Sequence, residues 1–127
     1  MYDFERLLEA CHEHGVAAMN IRVLSAGVIA TDLRTGRERP LTAGDTVESE
    51  AAKARAVFRV LGASHGTRAQ TALRFALAES RLSCVVVGLA ELEHLEQALG
   101  AQQMGPLSVE ALDALRGVYE KGTAWSG

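Results

Sequence analysis

Two stretches of the sequence carry residue types that can hold an anion, and each is an apolar run that ends on a loop glycine. Residues 22–27, Arg22-Val23-Leu24-Ser25-Ala26-Gly27, close the nearly continuous apolar segment VAAMNIRVL (16–24) and bring a cation with them. Residues 83–99, SCVVVGLAELEHLEQAL, run through Gly88-Leu89-Ala90 straight into a helical pattern. A glycine followed by a helix start presents unpaired N–H groups and the positive end of the helix dipole, which suits phosphate. A simple tight turn has the same composition, so spacing alone leaves both readings open.

The remaining reactive residue types read as structural. His12 and His14 stand two apart on a helical pattern, so they point in different directions and cannot chelate together. His65 is flanked by glycine in a connection and reads as exposed; His94 reads first as an exposed helical histidine. Cys11 and Cys84 sit in apolar patterns and read as buried, reduced thiols, with nothing basic beside Cys84 to make a thiolate. Glu91, Glu93 and Glu96 form a solvated helix face. No HExxH, CxxC or P-loop spacing occurs.

Bulk composition narrows the class. The chain has 127 residues, enough for one domain, and is 48% hydrophobic, so a packed core is expected over disorder. Lys and Arg total 13 against 16 Asp and Glu, a net charge of -3, with 5% aromatics; no basic stretch supports a nucleic-acid partner. No apolar run approaches the roughly 20 residues of a membrane span. No signal-peptide pattern follows Met1. The expectation is a cytoplasmic protein with no membrane partner.

The elements that must position the two glycine turns follow from periodicity. Residues 3–14 read as a helix with Phe4, Leu7, Leu8 and Cys11 on one face, stopped by Gly15. Residues 16–24 and 83–87 read as strands covered on both faces. Between them lie a long loop at 25–49, a helix at 50–61 (Ala54, Val57, Phe58 and Leu61 inward) and a second helix opening at Thr67. Thr67 and Gln70 have capping-box spacing, and Ala69, Ala72, Leu73, Ala76 and Leu77 form its stripe. Residues 91–99 are helical with Leu92, Leu95 and Leu99 on one side. Gly105-Pro106 breaks the chain, and Ser108 caps a last helix with Leu112, Leu115, Val118 and Tyr119 inward. The tail 122–127 is expected to fray unless Trp125 docks. A rival reading pairs 28–33 with the preceding strand as a hairpin, in a small domain that binds some other anion.

Two apolar strands separated by helices imply a parallel pair with a right-handed crossover. Two strands alone leave long open edges, so the chain reads as part of a larger α/β sheet or barrel. In such folds ligands sit at the carboxyl ends of strands.

Three stretches together, DFERLLEACHEHGVAAMNIRVLSAG, TRAQTALRFALAESRLSCVVVGLAELEHLEQAL and GPLSVEALDALRGV, resemble the C-terminal portion of bacterial aldo/keto reductases related to aldose 1-dehydrogenases. The resemblance covers nearly the whole chain as a single partial domain, 1–127. It implies a partial (β/α)8 TIM barrel, with 16–24 as strand seven and 83–87 as strand eight, and a nicotinamide cofactor, NADP or NAD. It assigns Arg22, Leu24 and Gly27 to the segment that wraps the cofactor pyrophosphate. Gly88, Leu89 and Ala90 fall in the turn at the adenosine phosphate, and His94 and Gln97 at adenosine contacts.

Departures from the family pattern matter. Gln97 stands where a Glu is usual and Ala98 where an Asn is usual; no Lys or Arg lies in 88–98. The acidic 91–96 stretch therefore favours NAD over NADP, or no cofactor at all. The family's Asp, Tyr, Lys and His catalytic group matches nothing here: Tyr2 and Tyr119 fit no such position, and Lys53 and Lys121 lie in helical patterns away from the strand ends. The expectation is a cofactor-holding portion that does not catalyse hydride transfer alone and relies on a missing N-terminal barrel portion. The alternative is a non-catalytic remnant or scaffold that self-associates through its open strand edges.

Overall fold

A computed structural model describes the backbone of residues 4–120 and the side chains of 4–118. Tyr2, the Tyr119 side chain, Lys121 and the 122–127 tail with Trp125 lie outside the described residues. In chain order the elements are α1 (Phe4–Glu13), β1 (Met19–Asn20), a 3-10 turn (Ser25–Gly27), α2 (Val47–Leu61), α3 (Arg68–Leu77), β2 (Cys84–Val85), α4 (Leu92–Met104) and α5 (Val109–Glu120).

β1 and β2 pair in parallel, with Met19 opposite Cys84 and Asn20 opposite Val85. The ladder is extended by Ser83 N–H to the Ala18 carbonyl and Val86 N–H to the Asn20 carbonyl, both 2.8 Å. The expected crossover order is therefore present. The expected burial on both faces is not. Regular pairing covers two residues per strand, Met19 is 66% exposed, Ile21 64%, and Cys84 is exposed rather than a core residue. Among the described residues each strand has a single neighbour, and α1 buries none of its residues, leaving Phe4 67% exposed. A short strand forms within each apolar run, and the described residues leave every position of 16–24 and 83–87 exposed or half-buried.

The helices are set by their caps. Thr46 accepts from Ser49 N–H while Ser49 Oγ accepts from Thr46 N–H, so α2 starts at Val47, three residues before the sequence reading places it. Thr67 and Gln70 form the expected reciprocal box at the head of α3. Gly105 ends α4 with φ 77°, a left-handed geometry in which glycine escapes the Cβ clash. α4 thus runs to Met104, well past residue 99. Its Leu92, Leu95 and Leu99 are exposed and cover no core. Ser108 Oγ accepts from Ala111 N–H at 3.3 Å at the start of α5.

The core lies where α2 meets α5. Leu61, Leu107, Ala111 and Leu115 are buried together, with Val57 and Leu112 packed on them. Each fully buried leucine contributes about 1.5–3 kcal/mol. α3 lies against α4 and touches β2, tying the strand layer to the helices. No helix among the described residues is long and apolar enough to cross a membrane.

The loop between the 3-10 turn and α2 contains no strand, so the hairpin reading of 28–33 fails; Val28–Ala30 are turn residues. The loop is pinned at three points instead. Asp32 takes Arg55 at 3.2 Å and Arg68 at 3.0 Å. Asp45 takes Lys53 at 2.6 Å. Glu50 Oε1 accepts the N–H groups of Leu41 and Thr42 at 2.7 and 2.9 Å.

Candidate functional site

Because β1 and β2 are parallel neighbours, the segments that follow them leave the sheet at the same end. That end carries the 22–27 turn from β1 and the 88–91 turn from β2. The two stretches singled out in the sequence thus both follow strand carboxyl ends, the end at which open α/β sheets and barrels bind ligands.

The turn after β1 is built on unusual backbone. Arg22, Ser25 and Ala26 have φ of 57°, 49° and 53°, and Gly27 follows at 92°. Left-handed conformation in three non-glycine residues costs of order 1–2 kcal/mol each and persists only where the surroundings hold it. The turn closes on itself through Ser25 N–H to Arg22 carbonyl and Gly27 N–H to Leu24 carbonyl, both 2.9 Å. Ser25 is buried, and its Oγ donates to Glu50 Oε2 at 3.2 Å. Arg22 is exposed and makes no ion pair among the described residues.

A cavity of about 410 Å³ opens beside this turn. Its lining includes Asn20, Arg22, Ser25, Glu50, Lys53 and Phe58. Lys53 was expected away from the strand ends; it instead shares this cavity with Asn20, Ile21 and Arg22, because its Nζ reaches to Asp45 in the overlying loop. Hydrogen bonds from Lys53, then from Ser49, hold the Asp45 carboxyl below its usual range. Of the eight residues assigned from the sequence, Arg22 alone lines the cavity; Leu24 and Gly27 lie in the adjoining turn, and the 88–97 residues lie outside it.

On the β2 side, Gly88, Leu89 and Ala90 are exposed, and a Cβ at Gly88 would meet nothing within 4 Å. Glu91 caps α4 with no side-chain hydrogen bond. Ala90 N–H donates to His94 Nδ1 at 3.3 Å. Gln97 Oε1 accepts from Thr67 Oγ1 at 2.8 Å, and its Nε2 donates to Glu93 at 3.2 Å. His94 thus braces the turn, and Gln97 links α4 to the head of α3. Glu50 and Ser25 escaped the sequence reading; their pairing spans 25 residues and no local pattern signals it. Among the described residues no group of three or more His, Cys, Asp or Glu could hold a metal.

The sequence profile of the Aldo/keto reductase family matches residues 2–120. The chain belongs to the aldo/keto reductase family. No curated protein matches it significantly. Aldo/keto reductases are oxidoreductases that generally use NAD(P)H, and the helices and parallel strand pair of this chain are consistent with their α/β fold.

Proposed function

We propose that this chain is the cofactor-holding part of an aldo/keto reductase barrel, with β1 as strand seven and β2 as strand eight. One observation carries the reading: the parallel pair sends the Arg22–Gly27 turn and the Gly88–Ala90 segment out of the same end of the sheet. Arg22, Leu24 and Gly27 would face the pyrophosphate. Gly88, Leu89 and Ala90 would face the adenosine phosphate, with His94 and Gln97 at adenosine.

The residues present fit a dinucleotide in part. Arg22 offers an exposed cation with no ion-pair partner among the described residues, and the open space at Gly88 beside an uncapped α4 start admits a phosphate. A ribose 2′-phosphate fits poorly, since Glu91 and Glu93 stand at that helix start and no cation lies in 88–98. NAD is therefore the preferred cofactor. When bound in its reduced form, it would supply the hydride. The residues of this chain orient it: the strained turn sets where Arg22 stands, and His94 holds the Ala90 backbone in place.

The general acid of the reaction is assigned to another part of the barrel. The open strands support this, because Met19, Ile21 and Val86 are exposed apolar residues that further strands would cover. The same exposure favours a second reading, a non-catalytic scaffold that self-associates through these edges. Titrating NADH into the chain during analytical ultracentrifugation separates the two. Saturable NADH binding supports the cofactor role, which Arg22→Ala should weaken about tenfold, the loss of one charge-assisted contact. Concentration-dependent dimers without NADH binding would favour the scaffold.

A further inference from the structure

We infer that Glu50 is a positioning residue for the cofactor: it holds the strained Arg22–Gly27 turn and the 41–42 loop in the arrangement that receives the dinucleotide. This rests on the proposed cofactor role of that turn.

Glu50 stands in the first turn of α2 and lines the cavity beside Arg22. Its two oxygens divide the work. Oε1 accepts Leu41 N–H at 2.7 Å and Thr42 N–H at 2.9 Å. Oε2 accepts Ser25 Oγ at 3.2 Å. One carboxylate thus joins both ends of the segment from the 3-10 turn to the foot of α2. Ser25, its partner in the turn, is buried and left-handed, with left-handed Ala26 directly after it and left-handed Arg22 three residues before. Such backbone relaxes when its anchor is removed. The Asp45–Lys53 pair and the Asp32 contacts fix other points of the loop. Ser25 is the turn residue that receives a side-chain anchor from α2, and Glu50 supplies it.

The experiment compares wild type, Glu50→Ala, Glu50→Gln and Ser25→Ala by hydrogen exchange over residues 22–29 and 41–45, and by titration with NADH and with AMP. A glutamine keeps an oxygen for the loop N–H groups and an NH2 for Ser25 Oγ, so Glu50→Gln should behave as wild type. Glu50→Ala should speed exchange in both segments. If it leaves about a tenth of the molecules competent, the NADH dissociation constant rises about tenfold. AMP, which engages only the Gly88–α4 side, should bind unchanged. Ser25→Ala, which leaves the loop contacts intact, should give a smaller loss of the same sign. Equal weakening of NADH and AMP would overturn the positioning role in favour of a general structural one. NADH binding unchanged in Glu50→Ala, with faster exchange, would also overturn it. Wild type that binds neither ligand would instead overturn the cofactor reading, and the inference with it.

Discussion

Thr67 Oγ1 donates to Gln97 Oε1 across 30 residues, at 2.8 Å. The same hydroxyl accepts Gln70 N–H at 3.2 Å, so one side chain closes the head of α3 and joins it to α4. Thr67→Ala removes the cap and leaves Gln97 without that partner. The expected loss is about 1–2 kcal/mol, read from the midpoint of urea unfolding. Thr67→Ser keeps the hydroxyl and should recover most of it.

Arg74 holds the break between α4 and α5. Its Nε donates to the Gly105 carbonyl at 2.8 Å, Nη1 to His65 at 2.8 Å and Nη2 to Pro106 at 3.2 Å. Arg74→Ala leaves three carbonyls without these donors and should cost about 2–3 kcal/mol in urea unfolding. Lysine offers a point charge and cannot span three acceptors from one plane, so Arg74→Lys should recover little.

Acid should loosen the junction between α1 and the approach to β2. Side-chain hydrogen bonds from Arg81 hold the Glu79 carboxyl down at about 2, helped by the Arg81 backbone N–H, and the same guanidinium reaches Glu5 of α1 at 2.6 Å. A folded-state value below the unfolded one means the unfolded chain binds more protons in that window. The stability is complete above the ordinary value of 4.5 and is lost as pH falls toward about 2. Glu38, held at about 2 first by the Thr35 N–H, adds to the same slope. Urea midpoints should therefore fall between pH 4.5 and pH 2, and Glu79→Gln should flatten that fall in part. An unchanged slope in the variant would contradict the assignment.

What the sequence made legible was local. The Thr67–Gln70 box, the Ser108 cap and the Gly105-Pro106 break depend on residues no more than three apart, and all three appear where their spacing puts them. The parallel order of the strands followed from helices lying between them. Longer-range relations were hidden. The hydroxyl pair Thr46–Ser49 does the work of a capping box without Glu or Gln, so the start of α2 was misplaced. The apolar runs around Met19 and Cys84 encode an environment and not its source, so burial was expected where the described residues leave both exposed. Glu50 reads as an ordinary first-turn acid, and only the fold brings Ser25, Leu41 and Thr42 to it. The turn at Ser25–Gly27 was legible because an apolar run ending on a glycine is itself a local signature.

The central claim, a nicotinamide cofactor held between the two turns, is tested most directly by urea unfolding followed by circular dichroism, with and without NADH or NADPH. A ligand that binds only the folded chain adds about 2.7 kcal/mol at 100 times its dissociation constant. NADH should move a cooperative transition to higher urea, with a smaller shift from NADPH. A cooperative transition that neither cofactor moves would contradict the claim.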